Sequence, residues 1–162
     1  HVTLAAQTQR EFDVLAILEG GDGHVSAGRG VGGAGLVELY HALRRLAQRG
    51  GKEVSSAAQV TDLALQSNDA LALEALDLFC GFLGSVAGNL ALTLGARGGV
   101  YLGGGIVPRL GTWFDQSSFR ARFESKGRFQ SYLADIPCWI IDPTATPALH
   151  GAARALDIAG TE

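Results

Sequence analysis

The feature of this sequence that most constrains its fold is a long apolar stripe between residues 70 and 94. Apolar side chains recur there at helical spacing, at Leu71, Ala75, Leu78, Phe79, Phe82, Leu83, Val86, Leu90 and Leu94. Asp69 stands directly before the stripe, where a short acidic side chain can cap the N-terminus of a helix. The pattern predicts one long helix, against which the other elements must pack.

Three glycines, Gly81, Gly84 and Gly88, lie within this predicted helix. Each interior glycine costs a helix roughly 0.5–1 kcal/mol relative to alanine. Three of them so close together therefore indicate that another backbone approaches the helix at this point. A helix that breaks near Gly84 is the alternative interpretation.

Four shorter helices are predicted from capping residues followed by apolar residues at helical spacing. They run from Thr8, which forms a capping box with Glu11, to Gly20; from Leu36 to Leu46; from Ser55 or Ser56 toward Leu65; and from Pro147 to Leu156. Between the first two, residues 22–35 are rich in glycine, which predicts an irregular loop.

Two short apolar runs predict strands. Residues 98–105 read Gly-Gly-Val-Tyr-Leu-Gly-Gly-Gly, which is a strand that runs directly into a glycine cluster, and residues 136–141 form the second run. Strands that are few and separated by helices are typical of an α/β fold. We therefore expect a mixed or parallel sheet covered by helices.

The glycine cluster provides the first candidate binding residues, Gly103, Gly104 and Gly105. Without a Cβ atom, a turn at the carboxyl end of a strand lets backbone N–H groups approach a ligand. A plain turn into a helix, with Pro108 in its first turn, is the alternative. No Gly-Lys-Ser/Thr follows, so the turn is not a P-loop.

Composition narrows the classes of function. The net charge of -3 and the pI near 5.8 give no reason to expect a nucleic acid or an anionic membrane as partner. Neither a membrane span nor a leader peptide is expected. Cys80 and Cys138 lie in apolar runs and are expected to be buried reduced thiols in a cytoplasmic protein. The histidines, which lack zinc-ligand spacing, predict no metal site; they are His1, His24, His41 and His150.

Residues 90–109, which include the Gly-Gly-Gly-Ile-Val-Pro-Arg run, resemble the adenosine motif of the bacterial glucokinases. Residues 119–129 are similar to that family's pattern Phe-Arg-x-x-Phe-x-x-Lys-Gly-Arg-Phe, and the resemblance extends over essentially the whole chain. Residues 135–137 and 150–153 also match. The Cys-x-Cys cluster of the zinc-bearing branch of sugar kinases is absent from the sequence.

This resemblance implies a ribonuclease-H-like actin/hexokinase fold, of which residues 1–162 would be the C-terminal, larger lobe. It implies an enzyme that uses ATP and Mg²⁺ to phosphorylate glucose to glucose 6-phosphate, and it leaves open a homodimer. Gly103, Gly104 and Gly105 would bind adenosine, and His1 would bind the sugar as the last residue of a Glu-Gly-Gly-His segment. Because the chain has no Met and starts at His1, we expect a lost upstream segment that carries the phosphate loop and the catalytic Asp. No catalytic residue is therefore assigned in this chain, and the isolated chain is expected to be inactive.

One position departs from the family pattern. Residues 26–36 read Ser-Ala-Gly-Arg-Gly-Val-Gly-Gly-Ala-Gly-Leu, so that Gly28 stands where the family has a sugar-binding Glu. Glu19 or Asp22 could replace the missing carboxylate. Otherwise the departure leaves open a kinase for another hexose, or a non-catalytic sugar-sensing regulator built on the same fold. Four further side chains are expected to have no role at the site: Lys126 and Arg128 in a solvated turn, and Trp113 and Trp139 in the core.

Overall fold

A computed structural model describes residues 2–21, 23–50, 53–142 and 144–159. In these residues it contains the following helices and strands: α1 (Gln9–Glu19), α2 (Ala27–Gly30), α3 (Gly33–Leu46), α4 (Ala57–Leu65), α5 (Ala70–Leu94), β1 (Val100–Leu102), α6 (Ile106–Leu110), α7 (Phe119–Glu124), α8 (Gln130–Ala134), β2 (Cys138–Ile140) and α9 (Pro147–Ala159). Short 3₁₀ helices cover Gly111–Gln116 and Gly127–Phe129.

Helix α5 is the centre of the fold, as the apolar stripe predicts. The Asp69 carboxylate caps it by accepting a hydrogen bond from the backbone N–H of Ala72 at 2.8 Å, and Gly95 ends it in the left-handed conformation with φ 60°. Helices α3 and α4 pack against it, and α7 packs against it most extensively. The helix is continuous, so the alternative of a break near Gly84 is wrong.

The glycines of α5 are explained by the backbone of α7. A Cβ atom on Gly84 would overlap the carbonyl oxygen of Phe119, and one on Gly88 would overlap that of Phe123. Alanine at either position would therefore push the two helices apart. This confirms the prediction of a close backbone approach.

Helix α5 is long and apolar enough to cross a membrane, by length and composition alone, although no membrane span was predicted from the sequence. Of its most apolar stretch, 56% is buried inside the protein. A core helix of a globular domain passes the same test, and the packing of α5 between α3, α4 and α7 is of that kind.

The Phe-Arg-x-x-Phe segment of α7 packs this helix into the core and links it to α8. Phe119 and Phe123 are buried. The Arg120 guanidinium donates hydrogen bonds to the backbone carbonyls of Ala134 at 2.7 Å and Ile136 at 2.8 Å. These bonds satisfy carbonyl groups at the end of α8 and fix the start of the segment that leads into β2.

The two predicted strands are present but shorter than predicted, and their parallel pairing is one of the two expected arrangements. Within the described residues, β1 pairs with β2 in parallel, with Tyr101 opposite Trp139, and an isolated antiparallel bridge joins Thr3 to Ser26. The strands are separated in sequence by helices, which accounts for their parallel direction. A larger mixed sheet is not formed by these residues.

The predicted burial of the two tryptophans and the two cysteines agrees only in part with the structure. Trp139 is 53% exposed, so its expected place in the core is wrong, whereas Trp113 packs partly buried against the core. Both cysteines are free thiols, with Cys80 buried and Cys138 half-buried. Burial raises the pKa of the Cys80 thiol to about 12, which keeps it protonated.

The glycine-rich segment 22–35 is not a single loop. The Ser26 hydroxyl accepts a hydrogen bond from the backbone N–H of Arg29 at 3.2 Å and so begins the short helix α2, and α3 begins at Gly33. A Cβ atom on Gly35 would overlap the carbonyl group of Arg29. The glycines therefore let two helices follow one another at close range, a role that composition alone does not reveal.

Candidate functional site

A cleft of about 330 Å³ lies between the turn after β1 and the start of α3. Two glycine-rich segments that are distant in sequence face each other across it, and side chains of α5 contribute to the lining. The lining residues are Val31, Gly32, Gly33, Phe79, Leu83, Gly103, Gly104, Gly105, Ile106 and Val107.

The first wall is the turn that the sequence predicted. The carbonyl of Leu102 accepts a hydrogen bond from the N–H of Ile141 at 2.9 Å, which holds the end of β1 against the segment after β2. Gly104 has φ 112°, a conformation that L side chains rarely adopt, whereas Gly105 has φ -88°. A Cβ atom added to Gly104 or Gly105 would meet nothing within 4 Å. The backbone of the turn is therefore open to a ligand.

The second wall was missed by sequence reasoning. Val31, Gly32 and Gly33 lead into α3, where Gly32 is the N-cap residue and makes no side-chain hydrogen bond. The available signal was the presence of two glycine clusters in one chain. Nothing in local sequence shows that they meet, because their approach depends on tertiary packing, including that of α3 beside α5.

The floor comes from α5, whose Phe79 is buried and whose Leu83 is partly buried. The two residues are four positions apart, so they lie on one face of the helix. Sequence reasoning assigned them only to the core. They give the cleft an apolar base.

Residues 2–4 pair with the segment that precedes Gly28. The N–H of Ala27 donates a hydrogen bond to the carbonyl of Val2 at 2.8 Å, and the N–H of Leu4 donates one to the carbonyl of Val25 at 2.8 Å. The predicted sugar ligand His1 is outside the described residues, as is Asp22. Gly28 is exposed, and a Cβ atom there would meet nothing within 4 Å. A side chain can therefore begin at this position without overlap at its Cβ atom.

The other candidate side chains lie away from the cleft. Arg128 is exposed and stacks over the ring of Phe129 at 5.0 Å, as expected of a solvated turn. Lys126 is half-buried instead, and burial together with the nearby Arg122 lowers the pKa of its ammonium group. His41 is half-buried, with Nε2 at 2.9 Å from the carbonyl of Val54.

The described residues were predicted to hold no metal site through their histidines. These residues contain no group of three or more His, Cys, Asp and Glu side chains that could hold a metal ion. Nδ1 of the exposed His24 lies 3.5 Å from the hydroxyl oxygen of Thr3.

The fold is shared with a solved sugar kinase. The crystal structure of a glucokinase from an Antarctic psychrotroph superimposes with a TM-score of 0.79 and 35% sequence identity, covering 88% of this chain and 44% of that chain. A small parallel sheet surrounded by helices, with a glycine turn at the carboxyl end of a strand, is consistent with an α/β kinase fold.

The sequence comparison identifies the family. A protein-family model described as Glucokinase matches residues 1–159, so this chain belongs to the glucokinase family. It is 54% identical to a glucokinase of Aromatoleum aromaticum over 97% of this chain and 47% of that protein. It is 51% identical to a glucokinase of Chromobacterium violaceum over 96% of this chain and 44% of that protein. The chain thus spans about half the length of these curated relatives.

Proposed function

We propose that this chain is the larger, C-terminal lobe of an ATP-dependent glucokinase with the actin/hexokinase fold. The complete enzyme transfers the γ-phosphoryl group of ATP to the 6-hydroxyl of glucose in the cytoplasm. The observation that carries the proposal is the convergence of Gly103–Gly105 with Gly32 and Gly33 in one cleft at the carboxyl end of a parallel strand. That edge is where α/β proteins bind nucleotides.

The size and chemistry of the cleft suit the nucleoside part of ATP. Its volume of about 330 Å³ is at the lower end of the range for small-ligand sites, about 300–1,000 Å³. A nucleoside fits this space, and the triphosphate extends out of it toward solvent. The open backbone at Gly104 and Gly105 allows the ribose or base to approach at van der Waals distance.

One short segment connects the proposed nucleotide and sugar sites. Ala27 is hydrogen-bonded to Val2, next to the proposed sugar ligand His1, and Val31–Gly33 line the cleft. Helix α2 spans the few residues between them. The two substrates would therefore bind to neighbouring parts of the same segment, as direct phosphoryl transfer requires.

The described residues bind and orient substrates in this proposal, and none of them takes the proton of the sugar hydroxyl. Mg²⁺ would neutralise charge on the phosphates of ATP when bound. Since the described residues offer no cluster of metal ligands, no step is assigned to them through the metal. We accordingly expect the isolated chain to have no phosphotransferase activity.

A second candidate is a kinase for another hexose, which the glycine at position 28 favours. A sugar hydroxyl whose carboxylate partner is missing leaves an unsatisfied group, at a cost of roughly 1–3 kcal/mol. Glucose affinity would fall, and a hexose that makes no such bond would be less affected.

The complete protein should be assayed by ADP release with Mg-ATP and either glucose, mannose, fructose or galactose. We expect the highest kcat/KM with glucose. A clear preference for another hexose would replace glucose as the substrate. Absence of ADP release with every sugar would contradict the kinase proposal and favour a sugar-sensing regulator.

A further inference from the structure

The proposed nucleotide cleft has an unusual lining for a site that must recognise one base. Every side chain that lines it, among the residues the structure describes, is apolar or absent: five of the ten lining residues are glycine, and the others are Val31, Phe79, Leu83, Ile106 and Val107. These ten described lining residues include no hydroxyl, amide or charged side chain.

Two charged side chains on the elements around the cleft, Arg29 and Arg109, have partners elsewhere. Arg29 of α2 forms an ion pair with Glu38 of α3 at 2.7 Å. Arg109 of α6 lies 3.6 Å from Asp62 of α4. The polar groups left at the cleft are backbone N–H and C=O groups of its glycines, which offer both a donor and an acceptor at each residue.

Adenine and 6-oxopurines differ at the edge that hydrogen bonds would read. Adenine presents an amino donor at position 6, whereas guanine and hypoxanthine present a carbonyl acceptor. The faces of all purine rings are alike to an apolar floor such as Phe79 and Leu83, because stacking does not depend on the hydrogen-bonding edge. The lining residues therefore do not distinguish adenine from a 6-oxopurine of the same shape.

We propose that this cleft discriminates weakly between purine nucleotides, so that the complete enzyme accepts 6-oxopurine nucleoside triphosphates as phosphoryl donors beside ATP. The inference rests on the proposed binding of ATP at Gly103–Gly105. A site built from side-chain hydrogen bonds rejects a mismatched analogue by about 10⁴–10⁵-fold, whereas an apolar pocket rejects an isostere by only about 10–200-fold.

ITP is the sharpest probe, because its base has the shape of adenine and the opposite hydrogen-bonding pattern. The initial rate of glucose 6-phosphate formation is measured with the complete protein at saturating glucose, using glucose-6-phosphate dehydrogenase as a reporter that is blind to the nucleotide. We expect kcat/KM for ITP to lie within about 200-fold of that for ATP. A larger preference for ATP would overturn the inference while leaving the kinase proposal intact. No turnover with ATP would overturn both.

A variant shows whether the two nucleotides share this cleft. Gly105→Val adds a side chain at the mouth of the cleft, at a position with ordinary φ and open space. We expect it to lower kcat/KM for ATP and for ITP by a similar factor. A loss confined to one nucleotide would contradict a common, weakly selective site. Gly50→Val, which also has open space and an ordinary φ, is the matched control and should change neither value.

Discussion

Glu11 of α1 and Arg122 of α7 form a buried ion pair across 111 positions of sequence. Arg122 Nη1 donates to Glu11 Oε1, and Nη2 donates to Oε2 at 3.3 Å. The carboxylate also accepts the N–H of Gln7 at 2.6 Å, and Arg122 Nε donates to the hydroxyl of Ser85 at 3.2 Å. The pair therefore connects α1, α5 and α7 through satisfied polar groups.

Removing one member of this pair should leave a buried charge without a partner. We expect Arg122→Met to lower the free energy of unfolding by about 3–5 kcal/mol, measured by urea denaturation. Arg10→Met, which breaks the half-exposed pair with Glu74, is the matched control and should cost no more than about 1 kcal/mol. Equal, small losses in the two variants would contradict a structural role for the buried pair.

Glu11 illustrates what local sequence can and cannot show. The spacing from Thr8 predicted a capping box, and the N-cap bond from the Glu11 N–H to the Thr8 hydroxyl is present at 3.2 Å. The Glu11 carboxylate accepts the backbone N–H of Gln7 and not that of the N-cap residue Thr8, and it also binds Arg122. A partner so far along the chain leaves no local pattern. Helix limits were therefore predictable here, whereas the tertiary role of the residue was not.

The three glycines of α5 give an internal comparison. Gly84→Ala and Gly88→Ala would place a methyl group against the rigid backbone of α7, and we expect each to destabilise the fold by about 1–3 kcal/mol. A Cβ atom on Gly81 would instead lie 3.6 Å from side-chain atoms of Arg122 and Ser118, an ordinary contact. We expect Gly81→Ala to be neutral or to stabilise by up to about 1 kcal/mol through helix propensity. Thermal or urea unfolding of the three variants measures these changes in stability. A stabilising effect of Gly84→Ala would contradict the observed packing.

The open space at Gly28 makes the missing sugar-binding carboxylate testable. We expect Gly28→Glu in the complete protein to tighten glucose binding by about ten- to a hundredfold, since a hydrogen bond to a charged group contributes roughly 1.5–3 kcal/mol. Calorimetric titration of glucose measures the change. Gly28→Ala separates the effect of the carboxylate from that of losing a glycine. Weaker binding by Gly28→Glu than by Gly28→Ala would indicate a site rebuilt for another arrangement of hydroxyls.

The candidate site was only half predictable for a similar reason. Gly103–Gly105 follow an apolar strand, and that local pattern suffices to mark a turn with an exposed backbone. The opposite wall at Gly32 and Gly33 depends on how α3 packs beside α5, which local spacing does not encode. The exposure of Trp139 could not be predicted from the sequence either, because an exposed strand of a small sheet and a buried core strand can have the same apolar sequence.

The proposed nucleotide cleft is tested most directly at Gly105. Gly104 is a poor choice, because its φ of 112° would strain any side chain regardless of a ligand. Gly105→Val has no such strain and projects into open space. In the complete protein we expect this variant to weaken ATP binding by at least about tenfold, equivalent to about 1.4 kcal/mol. Glucose binding and the unfolding temperature should stay close to the parent values, and so should ATP binding by the control Gly50→Val. Unchanged ATP affinity in a folded Gly105→Val variant would contradict the assignment and leave the glycine turn as a plain connection between β1 and α6.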